Sequence, residues 1–358
     1  MQPMIIENAD QEMDILTEII GKAGVITLNR PSALNAISVP MIQTLTQTLQ
    51  QWRTNAQVAF VVIQSNSPKA FCAGGDIRAV YEARLQDDFD FFDILFREEY
   101  QLNYLISTYP KPYIALIDGI CMGGGMGISV HGSHRIVTEK AVMAMPETGI
   151  GYFPDIGASY FLSKCPGEIG IFLGVVGEKI TASDALYANL ATHYIPSCDL
   201  PHFTQQLLEA DSAEQACALV EKANQTPLAS NLAQHQQLID QCFKADSVEL
   251  IMKNLENAGH SLASDWLRIL DKRSPTSLRI SLELLRRNQD KSLKEALAVE
   301  FRLSQTFTRH YDFFEGVRAL LIDKDNTPHW LPRHLSHVTP EMVNTYFDSL
   351  DTLEINLN

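Results

Sequence analysis

Gly119-Ile120-Cys121-Met122-Gly123-Gly124-Gly125-Met126-Gly127 crowds glycine between an apolar run, Tyr113 to Ile117, and a segment of helical spacing that reaches His131. The run reads as a strand, Asp118-Gly119 as its turn and Gly123 as the entry to a helix. Glycine lets a backbone approach a ligand closely and aim its N–H outward. The first N–H groups of a helix have no partner within it, and the helix dipole favours negative charge there. A second such stretch, Lys69-Ala70-Phe71-Cys72-Ala73-Gly74-Gly75-Asp76-Ile77-Arg78, follows another strand candidate, Phe60 to Gln64. One N–H from each stretch, converging on a point, would hold a thioester carbonyl oxygen as charge builds on it. Either stretch by itself reads equally well as a turn or a tight helix contact. The phosphate-binding pattern G-x-x-x-x-G-K-[ST] is absent. Gly127-Ile128-Ser129-Val130-His131-Gly132 is one residue too long for the G-x-S-x-G elbow of serine hydrolases.

On either side of these glycines short strands and helices alternate. Gly24 to Leu28 predicts a strand ended by Asn29-Arg30-Pro31. Val39 to Arg53 predicts a helix with Ile42, Leu45 and Leu49 on one side, Phe89 to Thr108 a long helix, and Arg135 to Thr138 a strand. From about Glu178 the strand signals fade. Gln205 to Leu219, Leu228 to Lys244, Val248 to Ala258, Leu262 to Leu270, Ser277 to Arg287 and Leu293 to Arg309 all have helical spacing. The expectation is an α/β core over 1–200 and an α-helical region over 201–358, with no internal repeat.

The whole chain has 358 residues, 46% of them hydrophobic, and a formal net charge of −15. That bounds the fold to one large domain or two ordinary ones. An acidic chain is a poor nucleic-acid binder, and an anionic ligand would need local cations or backbone N–H groups. The six cysteines are widely spaced, with no C-x-x-C pair. They are expected as buried thiols in a reducing compartment, and no metal site is expected. Met1-Gln2-Pro3-Met4 and the acidic residues after it show neither a secretory nor a transit pattern, and no apolar run is long enough to span a membrane. A cytoplasmic protein is the expectation.

Carboxylates concentrate in Met145-Pro146-Glu147-Thr148-Gly149-Ile150-Gly151-Tyr152-Phe153-Pro154-Asp155-Ile156-Gly157. Glu147 and Asp155 each follow a proline among apolar neighbours, a setting that raises carboxyl pKa values and suits acid/base work. Asp155 alternatively reads as the cap of a helix beginning near Ile156, and Glu147 as a solvated glutamate. In Phe96-Arg97-Glu98-Glu99-Tyr100, mid-helix, one glutamate is expected to face solvent.

The order of these segments resembles the crotonase (enoyl-CoA hydratase/isomerase) superfamily. It runs Leu28-Asn29-Arg30-Pro31 with Leu34-Asn35-Ala36, then Phe71-Cys72-Ala73-Gly74-Gly75-Asp76, then Gly119 with Gly123-Gly124-Gly125, then Pro146-Glu147. Each motif is weak alone; four in this order and spacing are specific. The likeness covers about Val25 to Pro196 and resumes from about Ser274 to Trp330, where Phe313-Phe314-Glu315-Gly316-Val317-Arg318-Ala319 is similar to the family's closing helix. Phe96 to Tyr100, Met122 to Gly132, and Met145-Pro146-Glu147-Thr148 with Phe153-Pro154-Asp155 are similar to the family's hydrolase branch, which acts on short 3-hydroxyacyl-CoA thioesters in valine breakdown. That branch carries extra helical material, matched here by about 201–272.

The resemblance implies a spiral of ββα units with an α-helical C-terminal region. It implies that Gly75 and Gly124 supply the oxyanion-hole N–H groups, and that Gly75, Asp76, Ile77 and Arg78 form the loop that also holds CoA. It gives Glu147 as the catalytic glutamate, Asp155 as the second carboxylate of the hydrolases and Glu99 as a substrate contact. It calls for no cofactor, coenzyme A being part of the substrate, and it implies a homo-oligomer formed through the C-terminal helices. Hydratases use two glutamates on water, the first lying three residues beyond the second oxyanion glycine. Here that position is Gly127, which cannot do acid/base work. That disfavours hydration and leaves isomerisation or thioester hydrolysis; Asp155 tips the expectation to hydrolysis of a short 3-hydroxyacyl-CoA, 3-hydroxyisobutyryl-CoA foremost. The alternatives are an isomerase using Glu147 alone and a silent acyl-CoA binder. Lys69, Arg78, Arg30 and Lys111 are candidates to meet CoA phosphates.

Overall fold

The computed structural model describes residues 13–348 and 354–357; the N-terminal stretch, residues 1–12, on which the reading of leader patterns falls, lies outside them. The chain enters as an antiparallel hairpin, β1 (Ile15–Ile20) and β2 (Ala23–Leu28). Helix α1 (Val39–Thr54) returns it to β3 (Phe60–Ser65), parallel to β2. From β3 onward strands come in pairs whose members enter different sheets. β3 is followed by β4 (Ala70–Cys72) and the helices α2 (Ile77–Leu85) and α3 (Phe89–Ser107). Next come β5 (Tyr113–Ile117), β6 (Ile120–Met122) and the one-turn α4 (Gly124–Gly127). The third round is β7 (His134–Val137), β8 (Val142–Ala144), α5 (Ala158–Phe161) and α6 (Ile169–Val176). β9 (Ile180–Thr181), α7 (Ala182–Tyr187) and β10 (His193–Tyr194) close the winding. One sheet has the order β1-β2-β3-β5-β7-β10 and the other β4-β6-β8-β9. This is the spiral of ββα units that the resemblance implies.

Strand β3 reads as continuously apolar because both of its faces are buried, as parallel strands under helices require. Val61 and Ile63 join the main core, while Phe60 and Val62 point the other way with Val25, Ile114, Leu116 and Ile136. That outer face is covered by Phe203 and Leu207 of α8 (Leu200–Leu208) and Ala216 and Val220 of α9 (Ala213–Ala223). The sequence predicts one helix from Gln205 to Leu219. The chain instead breaks before Ser212, whose Oγ accepts the Gln215 N–H at 3.2 Å and starts α9. No glycine or proline marks the break; the cap alone carries it.

The remaining helices are α10 (Asn231–Phe243), α11 (Val248–Asn257), α12 (Ser261–Leu270), α13 (Pro275–Arg287), α14 (Leu293–Phe307), α15 (Tyr311–Val317) and α16 (Pro340–Phe347). Phe243 and Trp266 pack on Phe172 of α6, with ring centroids 5.3 and 4.7 Å away. Helix α14 lies on α3, and α15 lies on the turn that holds Glu147. The six cysteines are unpaired; Cys72, Cys121, Cys165 and Cys242 are buried and Cys198 is exposed. Among the described residues no helix is long and apolar enough to cross a membrane.

Candidate active site

Gly75 is held in place by its neighbours. Ile37 donates to Gly74 O at 2.8 Å and accepts from Asp76 N at 2.8 Å, so the chain on both sides of Gly75 is tied down. The Leu34-Asn35-Ala36 motif braces this loop. Asn35, buried with φ +55, donates to Phe71 O (3.0 Å) and Ser65 Oγ (2.7 Å) and accepts from Arg30 N (2.8 Å). Among the described residues no hydrogen bond uses the Gly75 N–H. Gly124 is the first residue of α4, so its N–H is also unpartnered within the helix. Gly123 ahead of it has φ 45 and ψ −121, a backbone only glycine adopts without strain. A Cβ built on Gly124 would lie 3.2 Å from Gly75 N, so the two glycine stretches do meet.

Three carboxylates surround this meeting point. Glu147 opens a 3-10 turn, Glu147–Ile150, and a Cβ on Gly123 would fall 2.8 Å from its Oε1. Glu99 of α3 comes within 2.7 Å of the corresponding point on Gly124. Asp155 accepts the Tyr100 hydroxyl at 2.7 Å. Their exposures are only 7%, 5% and 6%. Glu98, next to Glu99, faces outward to Gln43 at 2.9 Å. The solvated reading of Glu147 and the capping reading of Asp155 are thus both overturned. Helix α5 starts at Ala158 after Gly157, with no side-chain cap.

Burial pushes all three carboxyl groups up from the usual range. For Glu147 burial acts first, the charges of Asp155 and Glu99 add to it, and Arg273 pulls the other way. For Glu99 burial is joined by Asp155. For Asp155 burial is partly offset by the Tyr100 hydrogen bond. Three like charges in a space this dry cannot all ionise, so the cluster keeps a proton where separate carboxylates would have none. Glu147 Oε2 is buried without a hydrogen bond. A buried carboxyl whose proton affinity is raised, with one oxygen unoccupied, is equipped to take or give a proton.

Gly127 has more than an absent side chain. A Cβ there would lie 2.8 Å from Asn103 Nδ2 and 3.2 Å from Ile156 Cβ, so the space is already filled. Asp76 is committed within the protein: Oδ1 accepts Ala79 N at 3.3 Å as the cap of α2, and Oδ2 accepts Arg30 Nη1 at 2.7 Å. Ile77 Cδ1 lies 3.7 Å from the Cβ position of Gly75. Two of the four cation candidates are occupied elsewhere. Arg30 pairs with Asp76, and Lys111 binds Trp52 O and Asn55 O at the end of α1. Lys69 and Arg78 are exposed.

Two residues the sequence did not single out for this role shape the cluster. Tyr100 adjoins Glu99 in the quoted segment yet carries no signal of its own. Glu300, fully buried on α14, accepts Gly157 N at 2.6 Å, Ser159 N at 3.0 Å and Ser159 Oγ at 2.5 Å, fixing the loop just beyond Asp155. Its partner lies 143 positions away in the chain, and spacing cannot reveal such a pair.

Paired backbone donors, a ring of buried carboxylates and this winding define one class of protein. The chain belongs to the enoyl-CoA hydratase/isomerase family, whose model matches residues 23–347. Within it, the chain is 42% identical to the protein named 3-hydroxyisobutyryl-CoA hydrolase, mitochondrial, of Rattus norvegicus, over 99% of this chain and 94% of that one. It is 44% identical to the protein of the same name from Xenopus tropicalis, over 94% and 89% of the two. Among solved structures it is similar to a carnitinyl-CoA dehydratase from Mycobacterium thermoresistibile, with TM-score 0.91, 35% identity and coverage of 96% and 98%. An enoyl-CoA hydratase from Rhodobacter sphaeroides is alike to the same degree, with TM-score 0.90, 35% identity and coverage of 96% and 100%.

Proposed function

We propose that the protein is an acyl-CoA thioester hydrolase that converts 3-hydroxyisobutyryl-CoA and water to 3-hydroxyisobutyrate and CoA. The observation that carries this reading is the gathering of Glu147, Asp155 and Glu99 around the N–H groups of Gly75 and Gly124, with the Gly127 position filled by Asn103 and Ile156. The curated relatives of that name, alike over nearly the whole chain, support it.

In this reading the thioester carbonyl oxygen accepts from Gly75 N–H and Gly124 N–H. Glu147 takes a proton from the attacking water, or attacks the carbonyl itself to give an anhydride that water opens. A C–O bond forms, the C–S bond breaks, and the sulfur leaves with the proton. Asp155 and Glu99 hold the substrate 3-hydroxyl and the water. Lys69 and Arg78 are the exposed cations left to meet the CoA phosphates. Gly127 leaves no second glutamate to add water across a double bond.

The same reading places the reaction in valine breakdown and the protein in the cytoplasm, as a homo-oligomer joined through its C-terminal helices. The names of the relatives place those proteins in mitochondria. Unpaired cysteines suit either reducing compartment. The test is release of free thiol from 3-hydroxyisobutyryl-CoA, 3-hydroxypropionyl-CoA and crotonyl-CoA. Release from the 3-hydroxy esters is expected. Double-bond migration without thiol would favour the isomerase, and binding without either product a silent binder.

A further inference from the structure

Arg273 joins the helical extension to the turn that carries Glu147. It stands three residues past the end of α12, its N–H bonding Leu270 O at 3.0 Å, and precedes Ser274, the cap of α13. Trp330 Nε1 holds the neighbouring Lys272 O at 3.0 Å. The guanidinium reaches back into the α/β part. Nη2 donates to Val176 O at 2.9 Å, at the end of α6. Nη1 lies against Gly149 in the Glu147–Ile150 turn, in the space that any side chain at Gly149 would need. Gly177 completes the wall: a Cβ there would be 3.1 Å from Pro146 Cα and 3.4 Å from Arg273 Nη2. The Nε is buried and makes no hydrogen bond. Val176 O alone does not account for a cation in this place, because burying a charge costs several kcal/mol, roughly, unless an opposite charge faces it.

The carboxylates whose charge reaches Arg273 are those of Glu178 and Glu147, and Glu147 opens the very turn against which Nη1 lies. Other groups around Glu147 do not serve. Asp155 and Glu99 are themselves carboxylates. On α15, Asp312 is bound by Ser274 Oγ and Leu331 N, and Glu315 is paired with Arg318. On α13, Arg279 and Arg286 are paired with Glu249 and Glu168. Helix α6 carries no ionisable residue from Ile169 to Val176. Glu178 in turn faces Lys179 and Asp265.

We propose that Arg273 is a positioning residue of this active site, a fixed positive charge set against the Glu147 turn that favours the ionised form of Glu147 against burial and two further carboxylates, with Glu178 moderating it. The inference rests on the hydrolase reading and gives the extension a part in it. Arginine suits the task because it stays charged at every working pH.

The experiment is the pH profile of kcat for thiol release in wild type, R273M, R273K and E178Q, with thermal melts alongside. In R273M the acid limb moves to higher pH, so that rates at its foot fall about tenfold further than rates on the plateau. R273K restores the limb. E178Q moves it to lower pH, a shift of opposite sign that a merely structural role would not produce. R273M with a wild-type limb, or R273K with the limb of R273M, overturns the proposal. If R273M does not fold, E178Q decides, and an unmoved limb there overturns it. A wild type that releases no thiol sinks the hydrolase reading instead, so the two failures are distinct.

Discussion

Tyr100 donates its hydroxyl to Asp155 Oδ2 at 2.7 Å from the residue next to Glu99, so one turn of α3 touches two of the three clustered carboxylates. The ring is buried, edge-on to Phe301 at 6.3 Å. In Tyr100→Phe the ring keeps its place and Asp155 loses a donor worth about 1.5–3 kcal/mol to a charged acceptor. The Asp155 carboxyl then rises further from its ordinary value, since the lost bond is what holds it down. Turnover by thiol release is expected to fall about tenfold to a hundredfold, with the melting temperature little changed. An unaltered kcat would mean that the ionised form of Asp155 is not needed.

Glu147→Gln keeps the shape and removes both basicity and charge. A general base or nucleophile in this place is worth about a hundredfold to ten-thousandfold, and kcat should drop within that range. Stability should change little, because a buried carboxyl with one unbonded oxygen gives way to a neutral amide while Arg273 loses one of the two charges that reach it. Thiol release and a thermal melt read both effects. Full activity in the variant would remove Glu147 from the chemistry.

Gly127→Glu asks whether the hydratase residue can be restored. Its Cβ would press on Asn103 Nδ2 at 2.8 Å and on Ile156 Cβ at 3.2 Å, and the longer side chain needs more room still. Overpacking of this kind costs about 1–3 kcal/mol. The variant should melt lower and gain no hydration of crotonyl-CoA. A stable G127E protein that hydrates crotonyl-CoA would show that the side chain, rather than the surroundings, selects the reaction.

What the sequence discloses of this site is what lies close together along the chain. The glycine stretches, Pro146-Glu147 and Pro154-Asp155 are local, and glycine and proline advertise their backbone demands. The strands Phe60 to Gln64 and Tyr113 to Ile117 were readable because burial on both faces makes them continuously apolar. The three-residue strands β4, β6 and β8 are too short to show a period. Arg30 and Lys111 illustrate the limit for charge: a cation is visible in a sequence, but Asp76 and the carbonyls of Trp52 and Asn55 that occupy these two are not visible as their partners. Glu300 and Arg273 are the same case at longer range, residues of the helical region whose meaning comes from a loop far away in the chain.

Glu300 gives the last prediction, on stability against pH. Burial on α14 pushes its carboxyl up to about 8, against the pull of Ser159 Oγ and the Gly157 and Ser159 N–H groups. In the unfolded chain it returns to about 4.3. Between those values the folded protein keeps a proton that the unfolded chain has released, so raising the pH favours unfolding. The contribution is therefore complete below the unfolded value and is lost as pH rises through about 8. Glu99 and Asp155, both raised, act in the same sense. Denaturant midpoints of the wild type should decline between about pH 5 and pH 8. Glu300→Gln cannot titrate, so its midpoints should be lower at acid pH, where an amide serves the Gly157 and Ser159 donors less well, and should decline less steeply. Parallel slopes for the two proteins would mean that the three donors outweigh burial and keep Glu300 ionised throughout.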